Sequence, residues 1–202
     1  MRFDPPIESC SETGCIAWLT GLSAAGKTTL AMEIARELGA LDVPHRVLDG
    51  DQLRATVCRD LGFSHADREE NVRRIFELAV EEARQGVVVL VAAIAPYRSL
   101  RAELRSASPV AFFEVFVDAP LAVCELRDPK GLYQRARAGE LKGLTGIDDP
   151  YEAPHAPDAH CRTDLESVPE SCAKVLRLLK PYARTAEASA SILASRSVSN
   201  SA

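Results

Sequence analysis

Cys15-Ile-Ala-Trp-Leu-Thr20 runs straight into Gly21-Leu-Ser-Ala-Ala-Gly26-Lys27-Thr28, and the reading of this junction decides the fold. The first six residues have the composition of a short buried strand, and the next eight fit G-x-x-x-x-G-K-[ST]. Beyond them Leu30, Ile34 and Leu38 recur at helical spacing, with Gly39 expected as the helix stop. A strand, a glycine-rich turn and a helix in that order aim backbone N–H groups and a helix N-terminus at an anion. Gly21, Leu22, Ser23, Ala24, Ala25, Gly26, Lys27, Thr28 and Thr29 are therefore expected to cradle nucleotide phosphates. In such a loop the lysine neutralises the β- and γ-phosphates and the threonine hydroxyl holds Mg²⁺, roles that fall here to Lys27 and Thr28.

Outward from the loop, His45-Arg-Val-Leu48 reads as a second strand, expected beside the first, running into Asp49-Gly-Asp51. From Ser64 to Gln85 the apolar positions 72, 75, 76, 79, 80 and 83 form one helical stripe, closed by Gly86. Val87 to Ile94 and Ala111 to Val117 are continuous apolar runs, as in strands buried on both faces. Strands alternating with helices predict an α/β fold, a parallel β-sheet with helices on both faces. Residues 127–150 carry Pro129, Gly131, Gly139, Gly143 and Gly146 among basic residues, the composition of a mobile lid or of a long surface loop. A last helix is expected from Val168 to Tyr182. The expected domain spans 14–182, with an N-terminal extension over 1–13 and a disordered Ala/Ser-rich tail over 183–202.

With 202 residues, 47% hydrophobic and 26% charged, the chain suits one compact domain. A net charge of −5 argues against a nucleic-acid polymer as partner. The longest apolar run is about half of what a membrane span requires, and the acidic, proline-containing start lacks the apolar stretch of a signal peptide. A cytoplasmic protein is expected, its six scattered cysteines reduced, with Cys58 and Cys124 serving as packing residues. Of the 24 basic residues only five are lysines. Arginine suits planar, two-pronged contact with phosphate, and the charge sums to +2 over 98–142, so small anions are the better partner class.

A phosphate cradle does not say who receives the phosphate. Further segments, in order, resemble the adenylyl-sulfate kinase (APS kinase) family. They are Asp49-Gly-Asp-Gln-Leu-Arg54, Arg59-Asp-Leu-Gly-Phe-Ser64, Asp67-Arg-Glu-Glu-Asn-Val-Arg-Arg74, Ala95-Pro-Tyr-Arg98, Glu114-Val-Phe-Val-Asp118, Arg127-Asp-Pro-Lys-Gly-Leu-Tyr133 and Thr145-Gly-Ile-Asp-Asp-Pro-Tyr151. The resemblance implies a P-loop kinase fold and Mg²⁺-dependent transfer of the γ-phosphoryl of ATP to the 3′-hydroxyl of adenylyl sulfate (adenosine 5′-phosphosulfate). It implies Mg²⁺ at Thr28 and Asp49, with Asp51 as the residue that orients the hydroxyl. It also implies substrate contacts from Arg54, Arg68 and Asn71, Ile94 and Lys130 lining the site, and Phe63 stacking on the adenine. Arg127 and Lys130 resemble the family's nucleotide-facing basic residues, and a homodimer is expected. From the chain's length, no fused sulfurylase domain is expected. Outside the motif, Asp49 and Asp51 read as two acids in a tight turn, and Arg68 as half of an i,i+4 surface pair. Two alternatives stay open: a related P-loop kinase with another acceptor, and a non-catalytic nucleotide-binding regulator.

Four residues depart from the family's pattern. Ala24 replaces a usual glycine, with little loss expected, and Gln52 replaces a usual asparagine. Ala95 stands where many members carry a serine described as a phosphorylated intermediate; without a hydroxyl there, direct in-line transfer is expected. Leu144 stands where an aromatic residue would sandwich the adenine with Phe63, so weaker binding of adenylyl sulfate is expected.

Overall fold

The structure is a computed structural model and describes residues 13–183. Its five strands are β1 (Cys15–Thr20), β2 (His45–Asp49), β3 (Val88–Ala92), β4 (Ala111–Asp118) and β5 (Ala159–Arg162). All pair in parallel, in the order β2-β3-β1-β4-β5, with β1 at the centre. The helices are α1 (Lys27–Ala40), α2 (Gly50–Ala55), α3 (His65–Arg84), α4 (Arg98–Ala107), α5 (Leu121–Arg127), α6 (Leu132–Arg137) and α7 (Val168–Leu179), followed by one 3₁₀ turn, Lys180–Tyr182. The expected N-terminal extension and tail fall, but for Thr13 and Ala183, outside the described residues.

Alternation along the central strands explains why they carry no polar face. Cys15, Ala17 and Leu19 of β1 join Val88, Leu90 and Ala92 of β3 in the core beneath α1 and α7. Ile16 and Trp18 join Val89 and Val91 in the opposite core, beneath α3 and α4. Covered on both sides, such strands must be apolar at every position. The stripe read on α3 is its buried face: Val72, Ile75, Ala79 and Ala83 are all at most 2% exposed. Cys58 and Cys124 are packing residues as expected, and all five described cysteines are free thiols.

Several expectations are corrected. Gly39 does not stop α1, which continues to Ala40; the chain turns at Asp42, which takes the left-handed conformation with φ 53°. β2 does not lie beside β1, because β3 inserts between them. Asp49-Gly-Asp51 is the start of α2 rather than a tight turn: Asp49 is its N-cap and accepts from the backbone N–H of Asp51 and Gln52. β5 was not expected. Its four residues, Ala-His-Cys-Arg, alternate buried and exposed at the sheet edge.

The stretch 127–150 divides in two. Its first part contains α6, whose Tyr133 is buried and donates its hydroxyl to the carbonyl of Ser23 in the loop after β1 (3.1 Å). Its end, from Gly143, continues into a strap fastened by arginines. Arg101, only 2% exposed, donates to Glu114 Oε1 (2.5 Å), to the Ala95 carbonyl (2.6 Å) and to the Glu152 carbonyl (2.6 Å). Arg98 donates its Nε–H to the Ala153 carbonyl (2.9 Å).

Candidate active site

A cleft of about 940 Å³ opens at the carboxyl ends of β1, β2 and β3, where open α/β sheets bind ligands. Its floor is the loop between β1 and α1. Gly26 enters α1 with φ 103°, a conformation glycine adopts without strain. Gly21 must be glycine for another reason, since a Cβ there would fall 2.1 Å from the Val117 carbonyl oxygen. Ala24 holds a left-handed φ of 59° without a glycine. Ser23, Ala24, Gly26, Lys27, Thr28 and Thr29 line the cleft. Gly21, Leu22 and Ala25 do not: Ala25 is wholly buried, and Leu22 packs against Gly146.

The Lys27 ammonium donates to the carbonyls of Gly21 (2.9 Å) and Leu22 (2.7 Å), which leaves one of its three N–H groups. Burial pushes its pKa down to about 8, against the opposing pull of Asp51. Thr28 donates its hydroxyl to Asp49 Oδ2 (2.7 Å), while Asp49 Oδ1 caps α2 (2.9 Å to the Asp51 N–H). A hydroxyl and a carboxylate side by side over the phosphate loop are hard oxygen donors. Mg²⁺ characteristically takes one or two such protein ligands and completes its shell with phosphates and water. Thr28 and Asp49 thus fit the ion the sequence implied, although β2 reaches the loop across β3 rather than as its neighbour.

Asp51 is exposed and forms an ion pair with Lys130, which closes the cleft from the opposite wall. Arg127 sits at the loop's edge, donating to the Ala24 carbonyl (3.4 Å) and to Thr163 (3.1 Å to Oγ1, 2.6 Å to the carbonyl). At the far end, Phe63 is 65% exposed, and the Arg54 guanidinium lies 4.6 Å from its ring centroid. Arg54 also donates to the Gly62 carbonyl (2.8 Å). Asn71 lines the cleft with its Oδ1 buried and without a hydrogen-bond partner, an acceptor waiting for a donor. Ile94 and Leu144 complete the apolar lining. Arg68 is not a surface residue: it is 8% exposed and bound mainly to protein groups.

The family model for adenylylsulphate kinase matches residues 13–162. This chain belongs to the adenylyl-sulfate kinase family. It is 55% identical to the adenylyl-sulfate kinase of Gloeothece citriformis over 168 residues, 83% of this chain and 95% of that one. Among solved structures it is similar to the Mycobacterium tuberculosis APS kinase in complex with AMPPNP and APS, at 46% identity and a TM-score of 0.80, covering 83% of this chain and 98% of that one. It is also similar to a hexameric APS kinase from Thiobacillus denitrificans, with 30% identity and a TM-score of 0.61 over 85% of this chain and 30% of that one.

Against the usual pattern of adenylyl-sulfate kinases, two departures now have a geometry. Ala95 is buried with φ 42°, a left-handed conformation costing an alanine roughly 1–2 kcal/mol. Arg101 holds its carbonyl there. Ser99 does not line the cleft; it is exposed on α4. Leu144 is 9% exposed, an aliphatic wall where an aromatic was usual. The sequence reading missed Thr163, Glu166 and Ser171, which line the cleft just beyond β5. Thr163 donates to the Ala25 carbonyl (2.7 Å) and so braces the phosphate loop. An unrecognised four-residue edge strand hid Thr163 and Glu166, whereas Ser171 rides on the expected helix, α7.

Proposed function

We propose that this chain transfers the γ-phosphoryl of ATP to the 3′-hydroxyl of adenylyl sulfate, giving 3′-phosphoadenylyl sulfate and ADP. The observation that supports it most is one cleft with a phosphate loop at one end and, at the other, an exposed aromatic ring beside Arg54 and the unpartnered Asn71.

ATP phosphates lie on the loop, with Lys27 and Arg127 as counter-charges. Thr28 and Asp49 would hold Mg²⁺, which when bound would supply charge neutralisation to the phosphates. Adenylyl sulfate enters from the other end, its adenine on Phe63 and its phosphosulfate facing Arg54, Arg68 and Asn71. Asp51 accepts the proton of the 3′-hydroxyl as that oxygen attacks the γ-phosphorus, and the bond to ADP breaks in line. Lys130, released from Asp51, then faces the developing charge. With an alanine at position 95 and Ser99 outside the cleft, transfer is direct, without a phosphoserine. Among the described residues no helix is long and apolar enough to cross a membrane. We take the enzyme as cytoplasmic and homodimeric, the latter open to sedimentation analysis.

One coupled assay tests the reading: ADP release with adenylyl sulfate, with other hydroxyl acceptors, and with none. Release is expected with adenylyl sulfate alone. A higher kcat/KM with another acceptor would make the chain a kinase of different specificity, and no release with any acceptor would make it a regulator. Radiolabelled ATP should leave no label on the acid-quenched protein; a kinetically competent phosphoenzyme would overturn direct transfer.

A further inference from the structure

We infer that Arg68 is a positioning residue that clips Phe63 to the strap at 143–149 and thereby sets the spacing of the two walls around the acceptor's adenine. The inference rests on the reading of adenylyl sulfate as acceptor, and it assigns Arg68 a duty separate from contact with the phosphosulfate.

The guanidinium has five N–H groups, and four are already committed. Nε–H donates to the Phe63 carbonyl (3.0 Å), Nη1–H to Thr145 Oγ1 (2.6 Å), and Nη2 to Asp149 Oδ2 (2.8 Å) and to the Gly143 carbonyl. Phe63 is one proposed wall. Gly143 and Thr145 flank Leu144, the other, whose side chain has no polar group and whose carbonyl is bound only within its own turn, by the N–H groups of Ile147, Asp148 and Asp149. The walls belong to segments far apart in the chain, and Arg68 touches the backbone or side chains of both. A planar fork can hold four acceptors at fixed angles; an ammonium on a flexible stem cannot. Asp149 is the telling partner. It lies outside the cleft lining, and its carboxylate holds Arg68 from behind.

The test compares Arg68→Lys, Asp149→Ala, Asp149→Asn and Phe63→Ala, alone and in pairs, by steady-state kinetics on the full chain. If Arg68 acts through the walls, Arg68→Lys raises the KM for adenylyl sulfate about tenfold, with kcat and the KM for ATP nearly unchanged. Asp149→Ala raises the same KM about threefold, and Asp149→Asn, which keeps an acceptor oxygen, restores part of it. In the Phe63→Ala background Arg68→Lys adds little, because one wall is already gone. The inference is overturned if Asp149→Ala leaves that KM unaltered, or if the Arg68→Lys and Phe63→Ala losses multiply, either of which makes Arg68 a direct ligand only. Should Arg68→Lys fold poorly, the two Asp149 variants decide alone. A wild-type chain that does not phosphorylate adenylyl sulfate refutes the acceptor assignment instead.

Discussion

The proposed nucleotide end of the cleft is made by one turn of chain, Gly21 to Thr28, joined by Asp49 from the end of β2. The proposed acceptor end is gathered from Arg54, Phe63, Arg68, Asn71, Ile94 and Leu144, which ride on several segments. In the first, backbone sterics do the positioning: Gly21 pressed against the Val117 carbonyl, Gly26 turning left-handed into α1. In the second, side-chain hydrogen bonds do it, and most come from arginine. A site defined by local backbone geometry survives changes of side chain around it, so it can serve many kinases. Specificity for an acceptor resides where arginines and loop side chains can be exchanged.

The contrast can be broken most forcefully at its first term. Lys27→Ala should reduce ADP formation by about a thousandfold or more, as loss of a preorganised transition-state donor does. Retained activity would mean that the loop backbone suffices. Asp51→Asn should lower kcat by about a hundredfold or more while both KM values move little, the signature of a lost proton acceptor. At the acceptor end, Leu144→Phe should lower the KM for adenylyl sulfate about tenfold, since stacking on a base contributes about 1–3 kcal/mol. An unchanged affinity would show that this wall is not in contact with the base.

The smallest effect separates the ends by pH. Free Lys27 has a pKa lowered to about 8 by burial, and ATP phosphates favour its ammonium form. Binding therefore takes up a proton once the pH passes that value, and affinity for ATP falls as pH rises. From pH 7 to 8.5 the KM for ATP should climb about fourfold. The KM for adenylyl sulfate should not follow; parallel curves would erase the distinction.

The same contrast explains what could be read without coordinates. The strand, loop and α1 were legible because their signal is local: an apolar run, two glycines at fixed spacing and an i, i+4, i+8 stripe. α3 was legible for the same reason, from its start at Ser64 to the glycine after it, although the capping box at Ser64 was not. The position of β2 across β3 was not, since chain order does not state which strands are neighbours. Nor were the duties of Arg68 and Arg101, whose partners lie far along the chain or on backbone carbonyls. In sequence each looks like an exposed charge on an amphipathic helix. Both are buried because oxygen acceptors meet four of the five N–H groups of Arg68 and three of the five of Arg101.

The ion pair between Lys130 and Asp51 has a consequence for the economy of ATP. A carboxylate poised beside a γ-phosphate would activate water as readily as a ribose hydroxyl, and each such event would waste a nucleotide. Here one carboxylate oxygen, Oδ2, is paired with a lysine from the far wall, in a contact exposed to solvent. Adenylyl sulfate, if it is the acceptor, arrives with its own negative charge and would compete with Asp51 for the ammonium, whereas a neutral water molecule brings no such charge. On the roles proposed for Asp51 and Lys130 the contact would act as a safety catch released by the acceptor, and ADP released with no acceptor present measures how well it holds.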